Sequence, residues 1–498
     1  MSTATAPLTS QYIVLKAGKF DTQNAPGEAG LVQVFSEIKE TKPERLVIHF
    51  HGGLVDRALG ETAAAELLPL YTSAGATPLF VIWETGWKEI VEQNIPTIFK
   101  EDIFNRLVRR VAQFVKAKAD KETSDDGTRG IGAMELPKEG AIKAEIDKAQ
   151  NGEEMFQDAA FDQLPRSTQL TADEQEQIQK EIENDKELRT ELQQIANARK
   201  EPSEEVTRSV TEAGSSETLM SPEVLEDISP TATGERGLIS TVMLAKHVVV
   251  IVASVISRLS KGRGHGVYLT IVEEVMREFY IRNVGKFLWD SMKKEVDQAF
   301  GFAADSGGAA FVRHFKDMWD AGVRPTVTLI GHSAGSIYVA RLLKELDHAL
   351  EAYPEAKVNV VLIAPAVTFT EYADALRSAG KRIAGLRIFG MSDSIEREDR
   401  IAKALYPASL LYFVSGVLEE SRDEPLVGMQ RYYDKPYTGP GFEAVEYARN
   451  FSCMKRQFSA VWSDITQGPG CNSDMRSHGG WVQSAATKAS VMEIITNG

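Results

Sequence analysis

The sequence predicts an α/β fold: a doubly wound, mostly parallel sheet wrapped by helices and interrupted by a large helical and acidic insertion. Three observations predict it. Short runs rich in β-branched and aromatic residues alternate with helix patterns near both ends of the chain. Several of these runs are continuously apolar, as strands buried on both faces are. Residues 120–236 carry 29 Asp and Glu against 13 Lys and Arg, with Phe156 and Phe161 as their only aromatics. That composition is too polar to build a core of its own.

In chain order, QYIVLKAG (11–18), LVQVFSEI (31–38), RLVIHF (45–50) and PLFVIW (78–83) read as strands. GETAAAELLPLYTSAG (60–75) reads as a helix closing on glycine. Further strands are expected at TVTLI (326–330), VNVVLIA (358–364), LRIFG (386–390) and SLLYFV (409–414), with a helix at GSIYVARLLKEL (335–346). A chain of 498 residues is long for one core, so a large domain with insertions, or two domains, is expected. The expected divisions are a core segment 1–115, an acidic, partly helical or disordered insertion 116–236, a helical cap or packing region 237–300, and a second core segment 301–498.

Inside the acidic region, Thr171 and Glu174 form a capping-box pattern, and Ile178, Ile182, Leu188, Leu192 and Ile195 a thin apolar stripe. The expectation is a long exposed helix in a mobile insertion. A protein partner at 171–200 is the functional alternative to a merely solvated helix. LISTVMLAKHVVVIVASVISRL (238–259) is long enough to span a bilayer. Lys246 and His247 sit near its centre, and a central Lys costs on the order of 3 kcal/mol on insertion. A buried helix or a cap over a site is the preferred reading. A membrane-surface helix is the alternative, helped by Arg258, Lys261 and Arg263.

The net charge of −15 argues against nucleic acid as a partner. Cys453 and Cys471 fit no metal or disulfide pattern. The start MSTATAPLTSQY has no basic and then apolar leader. The expected location is therefore the cytoplasm, with peripheral membrane contact through 238–259 as an option.

The chemistry concentrates in TVTLIGHSAG (326–335). A serine hydroxyl needs exposure, a neighbouring base and donors for a developing oxyanion. A strand, then Gly-x-Ser-x-Gly, then a helix meets the geometric part: the glycines at 331 and 335 let the chain reverse sharply, leaving Ser333 above the sheet. The same geometry calls for a glycine-bearing loop after an earlier strand. RLVIHFHGGLVD (45–56) supplies it, so N–H groups at Gly52, Gly53 and Ala334 are the candidate oxyanion donors. His49 and His51 alternate on one strand face, which raises metal binding, but no carboxylate–histidine cluster nearby completes a site.

Together, HGG after a strand and GHSAG at a strand–helix turn resemble the α/β-hydrolase superfamily, in the style of lipases and esterases, over about residues 10–115 and 265–498. The resemblance implies a nucleophile, an acid and a base in that chain order. Only His348 and His478 follow Ser333, and His478 lies in the glycine-rich RSHGGWV, where the family carries its base. Asp393, just past the LRIFG run, is the implied acid, with Glu396 and Asp399 as rivals. His51 and His332 are expected to support the site rather than react. One departure is the long stretch between Asp393 and His478. The implied function is hydrolysis of an ester, with lipid and acyl esters as the candidate substrates and no metal or organic cofactor. The alternative is a non-catalytic or regulated interaction protein on the same scaffold, binding a partner or membrane through the insertion.

Overall fold

The computed structural model describes residues 11–21, 27–53, 57–83, 93–125, 169–198, 218–228, 236–281, 283–303, 305–401, 406–434, 437–454 and 458–497. Eight strands form one sheet: β1 (Tyr12–Lys16), β2 (Lys19–Phe20), β3 (Arg45–Phe50), β4 (Thr77–Trp83), β5 (Thr326–His332), β6 (Val358–Ile363), β7 (Ile383–Met391) and β8 (Phe458–Ser463). Their order is β2-β1-β4-β3-β5-β6-β7-β8, and every pairing except β1 with β2 is parallel. The fold class is therefore α/β with a mostly parallel, mixed sheet.

Alternation along the strands sends neighbours to opposite faces. Leu46 and Ile48 of β3 and Leu329 of β5 join the larger core, under the helices Gly27–Thr41, Gly307–Asp320 and Gly335–Ala349. Val47 and Ile330 join a second core, closed by Arg57–Ser73 and Ala485–Asn497. Two cores on two faces make the sheet doubly wound. β3 and β5 are neighbours, and the chain winds outward from them in both directions. Their carboxyl ends border the crevice where open α/β sheets bind ligands.

Two strand expectations are corrected. LVQVFSEI lies within the helix Gly27–Thr41. Leu31, Val34, Phe35 and Ile38 follow the i, i+3, i+4, i+7 spacing of a helix stripe, and all are buried. SLLYFV forms the short helix Leu410–Phe413 running into the wider turn Val414–Leu418. A wholly buried apolar run carries no period, so its sequence suits either conformation.

The exposed insertion helix is also corrected. Residues 172–198 form two helices, Ala172–Glu183 and Lys186–Ala198, with the Thr171–Glu174 capping box intact. Ile178, Ile182, Leu188 and Leu192 are buried in the main core. The first helix packs against the long helix Arg236–Ser260, and the second against Asp102–Asp125. The divisions expected at 115/116 and 236/237 therefore fall inside one helical layer.

The segment Thr241–Ser260 is long and apolar enough to cross a membrane, the one such helix among the described residues. It lies within that layer, burying Leu244, Val248, Ile251, Val252 and Val255, with only Lys246 and Val250 exposed over 241–260. The remaining acidic stretches, 126–168 and 199–217, lie outside the described residues.

Candidate active site

β5 ends at His332, the chain reverses at Ser333, and the helix Gly335–Ala349 begins. Ser333 has a φ of 50°, in the left-handed region that costs a non-glycine residue on the order of 1–2 kcal/mol. Neighbouring bonds hold it there. Its N–H donates to Ile363 O at 2.9 Å, and its carbonyl accepts from Ala366 N at 3.1 Å and Ser336 Oγ at 2.6 Å. Ser336 Oγ in turn accepts from Val367 N at 3.0 Å.

The flanking glycines have steric reasons. A Cβ on Gly335 would lie 2.3 Å from Phe50 O and 2.7 Å from His51 O, and one on Gly331 2.9 Å from Ser336 Cα. The turn is thus pressed against the end of β3. A Cβ on Gly52 would sit 3.2 Å from Ser333 Cβ, and one on Gly53 3.2 Å from Ala334 Cβ. The two glycine motifs, nearly three hundred residues apart in the chain, meet in space. Ala334 heads the helix, so its N–H belongs to the first-turn donors that a helix cannot satisfy itself.

His478 Nε2 lies 2.7 Å from Ser333 Oγ. Two groups clamp the backbone of this histidine. His332 Nε2 donates to its carbonyl at 3.0 Å, and Asp399 Oδ2 accepts its N–H at 2.6 Å. Both Ser333 and His478 are buried, at 5% and 7% exposure. Burial, reinforced by the nearby His332 ring, pushes the His478 pKa down to about 3, so the imidazole is neutral and able to accept a proton. With Nε2 accepting from the serine, Nδ1 carries the hydrogen, and that atom is buried with no hydrogen-bond partner.

None of the three candidate acids fills this gap. Asp393 is turned to other partners: the Tyr412 hydroxyl and Arg397 Nε bond its carboxylate, and its N–H donates to Gln430 Oε1 at 2.7 Å. Burial raises its pKa, but Tyr412, Arg397 and Arg431 outweigh this and leave it lowered. Glu396 bonds Ser409 Oγ, and burial pushes its pKa well above the usual carboxylate value. Asp399 touches His478 only through the backbone N–H, and burial raises its pKa against that bond.

His51 accepts from Trp83 N at Nε2, 3.1 Å away, and donates from Nδ1 to Gly52 O at 2.7 Å, fixing the glycine loop. Burial lowers its pKa to about 4. His49 bonds the Tyr71 hydroxyl through Nδ1 at 2.8 Å. Both nitrogens of the His51 ring are committed to protein partners, so in this arrangement it does not pair with His49 on a metal. Ser336, Gln430 and Tyr412 were not singled out from the sequence. Ser336 was visible only as a second serine in the turn, and Tyr412 sat in a run assigned to a strand.

One group among the described residues has metal-like geometry: His265, Glu273 and Asp423, whose ligand atoms lie within 4.8 Å of one another. The Arg258 guanidinium serves as its cation, bonding Glu273, Asp423 and, at 2.9 Å, Glu274. The donor set is thus answered by an arginine.

No family model, curated protein or solved structure matches the chain. The functional reading therefore rests on the site alone.

Proposed function

We propose that this protein is a serine hydrolase of the α/β-hydrolase type that cleaves a carboxylic ester through an acyl-enzyme intermediate. One observation carries the reading: Ser333, held at positive φ beside two glycine loops, has its hydroxyl 2.7 Å from a neutral histidine nitrogen. Ser333 Oγ attacks the ester carbonyl while His478 Nε2 takes its proton. The N–H groups of Ala334 and of the Gly52–Gly53 loop receive the oxyanion. His478 then protonates the leaving alcohol, and the reverse sequence with water releases the acid. Asp399 and His332 position the base through its backbone. We assign the activity to the cytoplasm and the substrate to acyl or lipid-like esters; a thioester or amide would engage the same atoms.

A second reading is favoured by two features. The unpartnered Nδ1 and the near-closed serine also suit a scaffold that binds without catalysing. Hydrolysis of p-nitrophenyl esters of graded acyl length separates the two. The hydrolase reading expects a burst of one nitrophenol per chain with at least one ester, and none in Ser333→Ala. A folded chain that turns over no ester in the series contradicts it.

A further inference from the structure

The helical layer contains a second site that the proposed chemistry does not use. A polar cavity of about 740 Å³ opens between the end of the Arg236–Ser260 helix, the start of the Ala172–Glu183 helix and residues 420–422. Its lining includes Arg258, Lys261, Arg263 and Arg422 against a single carboxylate, Glu420. Arg258 is fully engaged with Glu273, Glu274 and Asp423 and forms a fixed, buried floor.

The other three cations have capacity to spare. Lys261 is exposed and has no ion-pair partner among the described residues. Arg263 stacks over the Phe442 ring at 5.0 Å, and its buried Nε has no hydrogen-bond partner. Arg422 gives Nε to Glu274 at 2.7 Å, on a side chain 40% exposed, which leaves its two terminal amino groups. Ser254 and Ser257 add hydroxyls on the same wall, since residues 254, 257, 258 and 261 follow one helix face.

Basic residues at a helix C-terminus ordinarily answer its dipole. That does not account for Arg422, which comes from a separate part of the chain, nor for the serines. Beyond those bonds the cavity lining offers Lys261, Arg263 and the Arg422 amino groups one carboxylate, Glu420, with Glu424 acting on Arg263 from outside it, and guanidinium forks match phosphate oxygens. The cavity is of the size that holds a small organic molecule rather than a bare ion.

We propose that this cavity binds a phosphorylated ligand, its phosphate held by Lys261, Arg263 and Arg422 and by the Ser254 and Ser257 hydroxyls. Such a phosphate is carried by a soluble phosphate ester or by a lipid headgroup.

Isothermal titration of the full chain with inorganic pyrophosphate tests it. Saturable binding at one site is expected, weakening as salt is raised. Lys261→Gln should reduce affinity by about tenfold, as loss of one charge-assisted contact does, and Lys261→Gln with Arg263→Gln by more. Lys261 is exposed, so that variant keeps its fold, and matching melting curves check this. Ser333→Ala should bind like the wild type, which separates this site from the proposed catalysis. Sedimentation with phosphatidylcholine vesicles, with and without phosphatidic acid, assigns the source. Retention on the phosphatidic acid vesicles alone, competed by pyrophosphate, supports a headgroup; pyrophosphate binding without retention supports a soluble ester. Failure to bind pyrophosphate, or binding undiminished in the double variant, overturns the proposal.

Discussion

At the residue scale, the site is a serine–histidine pair whose third member is out of reach. Burial holds His478 near pKa 3, and no carboxylate meets its Nδ1. A carboxylate at that atom would stabilise the imidazolium and raise the value. The rate of serine acylation should therefore keep its plateau well below pH 5, its acid limb following a histidine of low pKa. An acid limb near 6.5, the ordinary histidine value, would contradict a buried imidazole without a carboxylate partner. The same shift bears on stability. The folded pKa of His478 lies below its unfolded value, so between the two the unfolded chain binds the extra proton. This contribution is present above about pH 6.5 and is lost as pH falls toward 3. His51, at about 4, acts in the same direction.

The carboxylates are separable by substitution. Asp399→Ala would strand the His478 N–H and cost roughly 1–3 kcal/mol locally. It should slow acylation by about tenfold or more. Asp393→Ala removes bonds to Tyr412 and Arg397, not to the histidine, and should slow acylation less. Equal rates for wild type and Asp399→Ala would remove Asp399 from the positioning role. Ser333 and both glycine loops were legible in the sequence because the turn dictates its residues, and His478 because only two histidines follow Ser333 in the chain order that the resemblance implies. The partners of the acids were not, since side chains decide between neighbouring carboxylates by contacts that spacing does not encode.

At the scale of elements, the strand–turn–helix unit depends on backbone contact at Gly335. Gly335→Ala drives a methyl into two carbonyl oxygens at 2.3 and 2.7 Å. It should destabilise by about 1–3 kcal/mol, as overpacking does, and displace the turn. A melting curve equal to wild type would contradict the contact. The parallel strands β3 to β7 were readable as apolar, β-branched runs between breakers. LVQVFSEI misled because it is short and rich in β-branched and aromatic residues, although its buried positions fall at helical intervals. SLLYFV was undecidable because burial on all sides erases the period that distinguishes strand from helix.

At the scale of the molecule, the described helices of the acidic region, Ala172–Glu183 and Lys186–Ala198, are built into the helical layer. Their charge hid a sparse stripe that the Arg236–Ser260 helix completes, so neither partner announces the contact alone. Ile182→Ala should cost about 2–5 kcal/mol, as a buried truncation does. On a solvated helix the change would fall within about 0.5 kcal/mol, and denaturant titration distinguishes the two. Arg258 ties this layer to the core through Asp423. Arg258→Ala leaves buried carboxylates uncompensated and should destabilise by roughly 3–5 kcal/mol. Little of this was legible, because packing between distant segments leaves no local signature.

The central claim is that Ser333 and His478 form a reactive pair. Labelling the full chain with a fluorophosphonate and reading intact mass tests it most directly. The account predicts one adduct on wild type, none on Ser333→Ala, and labelling slowed by roughly 10²–10⁴-fold in His478→Ala. A folded wild type that takes no label, or takes it equally without Ser333, would contradict it.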